Sequence, residues 1–337
     1  MSATGHADAT IGVDIGGTKL FGVVLHGDDS VVAEARVSTP QLETDGSPWM
    51  GAVGADVAEA VATVVDELRS SCVEVGGAPV RVGIGAPGMV DRSGTLRFAP
   101  NLPSASGADL RGLVSVLVPD AWVVVENDAN CAALAEQRLG SLRRIDHGMM
   151  VTLGTGIGVG LVVHGRVELG ASGFAGEAGH MIVDPSGPAC PCGRKGCWER
   201  YASGGGLGRL AREAAYAGRL SHVVARAGGD PENVHGEDIT RAALEGDEGA
   251  LGVLAELGWW VALGLANLVA VVDPERIVLG GGLAEAGQLL LEPTRRAFGE
   301  LLEGGSARPA IDVVGAALGE RAGAVGAALT ARKGAGP

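Results

Sequence analysis

Three cysteines and a histidine crowd into the stretch GEAGHMIVDPSGPACPCGRKGCWE, from Gly176 to Glu199. Cys190, Cys192 and Cys197 form a C-x-C-x4-C pattern, and His180 lies ten residues ahead of the first. Three thiolates and one imidazole complete a tetrahedral set for Zn²⁺, and four protein ligands leave no open position for catalysis, so the expected metal is structural. Gly193 and Gly196 fall between the second and third cysteines, where the chain must double back. Glu177 and Glu199 flank the knot, and a bound metal would draw the two carboxylates together.

A second kind of chemistry is written in glycine. Asp14-Ile15-Gly16-Gly17-Thr18-Lys19 puts a carboxylate, two glycines, a hydroxyl and an ammonium on one turn. Backbone N–H groups at Gly16 and Gly17 can approach phosphate oxygens, with Thr18 and Lys19 adding a hydrogen bond and a charge. Asp14 could hold Mg²⁺ through water. An ordinary hairpin fits the hexapeptide alone about as well. Leu153-Gly154-Thr155-Gly156-Ile157-Gly158 is a comparable turn, and Gly281 and Gly282 follow a short apolar run in a third. A helix opening on such glycines suits a nucleotide, although the G-x-G-x-x-G dinucleotide spacing is absent.

The candidate acid/base is Asp128, in the run Glu126-Asn127-Asp128-Ala129-Asn130. A carboxylate at the end of a buried strand can take the proton of a substrate hydroxyl as that oxygen attacks phosphorus. Asp128 could instead cap the helix that follows; the extra polarity of Asn127 and Asn130 exceeds what a cap needs and favours function.

These residues need a frame. Ala9 to Asp28 reads as a β-hairpin with Gly16-Gly17 at its tip, and Val31 to Val37 as a third strand. Helical spacing over Ser47 to Ser71 puts Val53, Val57, Val61, Val64, Val65 and Leu68 on one face. Val80 to Ala86 and Trp122 to Val125 are apolar strands, with a helix expected over Ala132 to Leu139. The chain then starts again. Val13, Gly16, Gly22, Val24, His26 and Gly27 match Val151, Gly154, Gly160, Val162, His164 and Gly165 at one offset without gaps. That repeat predicts two duplicated α/β lobes around a cleft, with one glycine hairpin facing it from each. Gly204 to Gly249 is helical with breaks near Gly228, and Ala250 to Val271 is a long apolar helix whose part from Trp259 is expected to be buried. Arg276 to Leu279 is a strand, Gly280 to Gly282 opens a helix, Val313-Val314 is a last strand and Arg321 to Lys333 a closing helix. The expected division is 1–120, with the closing helix 320–333, against 121–319. Cys72 and Cys131 read as buried thiols, and His26 and His164 as turn residues.

The totals agree. A chain of 337 residues is long for one core. Its net charge of −14 argues against nucleic-acid and anionic-membrane partners. The clustered cysteines fit a reducing compartment. The first residues lack a signal peptide's basic and apolar regions, so a cytoplasmic location is expected.

Taken together, the chain strongly resembles the ROK family of sugar kinases, its bacterial glucokinases in particular. The resemblance rests on DIGGTK (Asp14 to Lys19), APNLP (Ala99 to Pro103), ENDAN (Glu126 to Asn130), LGTGIG (Leu153 to Gly158), GEAGH (Gly176 to His180), CPCGRKGCWE (Cys190 to Glu199) and LGGG (Leu279 to Gly282), in the family's order. It implies the actin-like ATPase (ribonuclease H-like) fold with ATP and sugar between the lobes. It also implies Asp128 as general base toward the sugar 6-hydroxyl, with Asn101, Asn127, Glu177, His180 and Glu199 as partners of the other hydroxyls. His180 would then serve zinc with one ring nitrogen and sugar with the other. The family is often homodimeric or homotetrameric. Where it often carries glycine, alanine and a larger aliphatic residue, this chain has Val159, Cys131 and Ala178. A tryptophan common after Asn101 is replaced by Pro103-Ser104-Ala105-Ser106. The expected activity is ATP-dependent glucose phosphorylation (EC 2.7.1.2). The alternatives are another hexose (mannose, fructose, N-acetyl hexosamine), polyphosphate as donor, or a sugar-sensing regulator. Thirteen residues ahead of Asp14 are too few for the winged helix such regulators carry.

Overall fold

The computed structural model describes residues 9–40, 53–74 and 81–333. β1 (Thr10–Ile15) and β2 (Lys19–Leu25) form the glycine hairpin, and β3 (Val31–Ser38) extends it antiparallel. After α1 (Ala55–Glu74), β4 (Arg81–Ala86) joins β1 in parallel. A ribbon of β5 (Met89–Val90) and β6 (Leu96–Phe98) leads to α2 (Leu110–Leu117), and β7 (Trp122–Asn127) pairs with β4. The sheet order is β3-β2-β1-β4-β7.

α3 (Asp128–Leu139) carries the chain to a second sheet. β8 (Gly148–Leu153), β9 (Ile157–Val163) and β10 (Arg166–Glu168) run antiparallel. Five helices follow: α4 (Glu199–Ala202), α5 (Gly204–Tyr216), α6 (Ser221–Arg226), α7 (Gly236–Leu244) and α8 (Glu248–Val272). Then come β11 (Arg276–Gly280), α9 (Gln288–Leu301), β12 (Asp312–Gly315) and α10 (Ala322–Lys333). The order β10-β9-β8-β11-β12 repeats the first sheet strand for strand. The repeat seen in one hairpin is thus a repeat of whole sheets.

The sheets are tied by two crossing helices. α10 leaves the second sheet but packs on the first, so closely that a Cβ on Gly12 or Gly83 would collide with the carbonyl of Ala324 or Ala327. α3 leaves the first sheet and packs on the second, where a Cβ on Gly160 would lie 2.5 Å from Ala129 O. Where the two helices meet, a Cβ on Gly326 would collide with Cys131 O. Gly326→Ala must therefore push backbone apart between the sheets. We expect it to destabilise the fold by about 1–3 kcal/mol, against a neutral or slightly stabilising Gly252→Ala, whose Cβ meets nothing within 4 Å. Thermal melts of the pair test this; equal melting temperatures would refute the close approach.

Because helices cover both faces of the first sheet, β1 and β2 are almost continuously buried and read as apolar runs. Buried clusters lie on the α1/α2 side of the first sheet, around α3 and α10, and between the second sheet and α5–α9.

Several expectations need correction. The first helix begins at Ala55; of the span expected before it, residues 47–52 lie outside the described residues, as does Val80. Val53 sits ahead of the helix and is 50% exposed, whereas Val57, Val61, Val64, Val65 and Leu68 are buried. The next helix starts at Asp128 instead of Ala132, because Asn127 caps it. β7 hydrogen-bonds to β4, which places 122–127 with the first sheet and not, as expected, beyond a division at 120/121. α8 is two-faced: Val253, Leu257, Val261 and Leu265 are in the core, but Trp259 and Val271 are exposed. Gly282 opens a five-residue 3-10 turn, Gly282–Ala286, with α9 starting only at Gln288. Cys72 and Cys131 are buried thiols, and His164 sits in a turn at φ 50°.

Candidate functional site

Each glycine hairpin is closed by its own backbone and pinned from outside. Gly16 N donates to Lys19 O at 2.9 Å, while the Thr39 hydroxyl donates to Gly16 O at 2.7 Å. In the second sheet Gly154 N donates to Gly156 O at 3.0 Å, and Gly204 N, at the start of α5, donates to Gly154 O at 2.8 Å. The tips face each other: a Cβ on Gly17 would lie 4.0 Å from Thr155 Oγ1. Gly281, at φ 82°, lies so close to the second hairpin that a Cβ would come 2.6 Å from Leu153 O.

Between them is a cavity of about 360 Å³. Asp14, Gly16, Gly17, Thr18 and Lys19 line it from the first hairpin, and Gly154, Thr155 and Gly156 from the second, with Gly281 and Gly282 beside them. Asn101, Asn127, Asp128, Glu177, His180 and Glu199 line the same cavity. Gly156 joins the two groups, since its Cβ would lie 2.8 Å from Glu199 Oε2 and 3.5 Å from Asn101 Nδ2.

Asp128 is the first residue of α3, yet it is not the cap. Asn127 Oδ1 accepts from Asn130 N at 3.1 Å, and Asn127 Nδ2 donates to Gly88 O at 3.0 Å. The Asn127 side chain also hydrogen-bonds Asp128, which ties the candidate base to the same corner. Glu126 Oε1 accepts from Asn127 N at 2.8 Å and from Asn130 Nδ2 at 3.1 Å, which fixes the strand-to-helix corner. Asp128 Oδ1 accepts from Ala129 N at 2.8 Å. Burial pushes its carboxyl up to about 6, against hydrogen bonds that pull it down. Glu177 rises to about 7 through burial, then through the charges of Asp128 and Glu199. Asp14 rises to about 8 through burial and the Asp128 charge, opposed by Lys19. Its Oδ1 is buried without a hydrogen-bond partner. An orphaned carboxylate oxygen beside a second acid is chemistry suited to a divalent cation.

The knot is built on two isolated bridges, Ile182 with Cys197 and Ala189 with Lys195. Cys190 N donates to Arg194 O at 2.8 Å, and Gly196 is packed so tightly that a Cβ would collide with Asp184 O. The ligand atoms of His180, Cys190, Cys192 and Cys197 all lie within 4.8 Å of one another. Cys190 Sγ is 3.7 Å from His180 Nδ1, and Cys192 Sγ is 3.6 Å from Cys197 Sγ. A tetrahedral zinc with Zn–S near 2.3 Å needs S···S of roughly 3.8 Å, so the donor set fits. Burial and neighbouring Glu199 push the Cys190 thiol up, a burden a bound divalent metal reverses. His180 thus turns Nδ1 to the knot while lining the cavity.

The described family model of ROK proteins, "ROK family", matches residues 10–334. The chain belongs to the ROK family. It is 38% identical over 332 residues to a glucokinase of Streptomyces coelicolor, covering 96% of this chain and 98% of that one. A glucokinase of Thermotoga maritima is 35% identical over 319 residues, covering 94% and 95%. A ROK family glucokinase from Streptomyces griseus, solved with glucose and AMPPNP, superimposes with a TM-score of 0.85 at 38% identity, covering 97% of this chain and 100% of that one. The two matched sheets and crossing helices are the actin-like ATPase fold expected.

Residues that sequence reasoning missed in this ROK chain come from the corner before α10 and from its first turns. Lys19, expected to meet phosphate, is 2.8 Å from Glu320 Oε2, and Glu320 Oε1 also holds Arg36 at 2.6 Å. A Cβ on Gly323 would lie 2.5 Å from Asp14 Cγ. Gly323 and Gly326 are three apart in a run of small residues, a spacing that marks one closely approached helix face. It was the available signal.

Proposed function

We propose that this ROK protein is a glucokinase, transferring the γ-phosphoryl group of ATP to the 6-hydroxyl of glucose. The observation that carries the reading is the single cavity in which Asp128, raised but ionised above pH about 6, faces two opposed glycine hairpins. Asp128 accepts the 6-hydroxyl proton as the oxygen attacks phosphorus. Asn101, Asn127, Glu177, Glu199 and His180 Nε2 orient the sugar through its other hydroxyls. Gly16 and Gly154 spend their N–H groups closing the two hairpins, which shapes tips where Gly17, Thr18, Lys19, Thr155 and Gly156 meet the phosphates, and Gly281-Gly282 leaves room for the nucleoside. Mg²⁺, when held through water by Asp14, would neutralise phosphate charge. Zn²⁺, when held by His180, Cys190, Cys192 and Cys197, would brace the loop that carries Glu177 and Glu199. We divide the lobes after β7, with α10 assigned to the first.

A coupled assay of the purified protein tests this with ATP and, in turn, glucose, mannose, fructose and N-acetyl hexosamines, and with polyphosphate in place of ATP. Glucose with ATP is expected to give the highest kcat/KM. A tenfold preference for another hexose, or for polyphosphate, would reassign the substrate or donor.

A further inference from the structure

The ribbon β5–β6 belongs to the first lobe and runs directly into Asn101. Its turn is rigid: Asp91 Oδ1 accepts from Ser93 N at 2.8 Å and Thr95 N at 3.1 Å, and Asp91 Oδ2 accepts from Arg97 Nε at 2.5 Å. Arg92 is aimed outward from that turn. Its Nε donates to Ala171 O at 3.1 Å, and its NH2 donates to Gly170 O. Gly170 and Ala171 lie in the loop that follows β10 of the second lobe, and that loop runs directly into Gly176, Glu177 and His180. The loop is itself closed, since Gly170 N donates to Glu168 Oε1 at 2.6 Å and Ala175 N to Leu169 O at 3.2 Å. Its Gly173 packs on the ribbon so that a Cβ would lie 2.7 Å from Val90 O.

We propose that Arg92 is a positioning residue for the sugar half of the site, clasping the ribbon that carries Asn101 to the loop that carries Glu177. This rests on the glucokinase reading above and deepens it. The two loops come from opposite lobes, and sugar held between them needs both at a fixed separation. A planar guanidinium donating to two successive carbonyls sets that separation in a way one ammonium cannot. Arg92's hydrogen bonds reach the loop beside Glu177 and neither phosphate hairpin, and its charge also acts on Glu126 at the corner before Asp128, so its effect is expected on the sugar side.

The test is Arg92→Ala and Arg92→Lys against wild type. Kinetics are measured with sugar and ATP varied separately, with tryptophan-fluorescence titration by glucose alone and a thermal melt alongside. Losing two charge-assisted hydrogen bonds across a partly exposed contact corresponds to about a tenfold weakening. Arg92→Ala is expected to raise the glucose KM and the glucose dissociation constant about tenfold. The ATP KM should stay within twofold and the melting temperature near wild type. Arg92→Lys should recover part of the sugar affinity. A glucose KM within twofold of wild type in Arg92→Ala, or sugar and ATP KM rising together with a fallen melting temperature, would overturn the clasp. Failure of the wild type itself to bind and phosphorylate glucose would instead overturn the glucokinase reading.

Discussion

Asp128→Asn is expected to lower kcat by about 10²–10⁴-fold while glucose still binds, the range general-base catalysis contributes. Asparagine keeps the shape and can still accept the Ala129 N–H that now reaches Asp128 Oδ1 at 2.8 Å; what it loses is the ability to take a proton. The wild-type pH profile carries the second half of the prediction. Burial raises Asp128 to about 6, so below that pH the base is protonated and cannot act. The rate should therefore fall as pH drops through about 6 and level off above it. An unperturbed aspartate near 3.9 would place the fall about two units lower. Glu177 is the competing carboxylate, raised to about 7 by burial and by the charges of Asp128 and Glu199. Removing the Asp128 charge makes Glu177 easier to ionise, so any limb left in Asp128→Asn should lie below pH about 7. Glu177→Gln should raise the glucose KM and leave most of kcat. Steady-state kinetics of both variants from pH 5 to 9 separate the roles. Near-full turnover in Asp128→Asn, or collapse of kcat in Glu177→Gln alone, would transfer the base to Glu177.

What could be read from the sequence, and what could not, follows from how far each signal travels along the chain. The hairpins were legible because short apolar runs and tip glycines are local, and their duplication was legible because Val13 to Gly27 and Val151 to Gly165 kept one register. That every expected sugar and phosphate residue lines one cavity followed from the family resemblance, which supplies the long-range information that periodicity lacks. The start of α3 was misread because the polar run Asn127 to Asn130 looks like a loop until Glu126 and Asn127 are seen to spend their side chains on its backbone. The exposed face of α8 was missed because an apolar helix gives no sign of which side the rest of the chain covers. Most telling is Gly323. Nothing in its neighbours announces chemistry, yet its missing side chain is what leaves room for Asp14, 309 positions earlier. Close approach between distant segments leaves only an absence of side chain in the sequence, and absence is common in a chain with 57 glycines.

Cys192→Ser, or removal of zinc by a chelator, is expected to raise the glucose KM about 10–100-fold, the range in which disturbing a metal's supporting shell acts. The ATP KM should change far less. The asymmetry comes from what the knot touches. Cys190 Sγ is 3.0 Å from Glu199 Oε1, and His180 Nδ1 is 3.5 Å from the same oxygen, so two of the four proposed ligands border a carboxylate proposed to hold the sugar. Cys197 precedes Trp198, which is fully buried and donates from its indole nitrogen to Trp260 O at 2.8 Å. Loosening the knot therefore loosens both Glu199 and the packing of α4 against α8, and the melting temperature should fall by several degrees. Cys192 is the informative position: it is the least buried of the three knot cysteines, and the one that meets Glu199 is Cys190, so loss of Cys192 is expected to act through the metal. The first hairpin is held by Thr39 from β3's end and should keep its grip on phosphate. One zinc per chain in the wild type, lost in Cys192→Ser together with sugar affinity, is the expected result by metal analysis and paired titrations. A variant that lost zinc but kept its glucose KM would make the knot a brace for stability alone, and one that lost only ATP affinity would place it in the wrong half of the cleft.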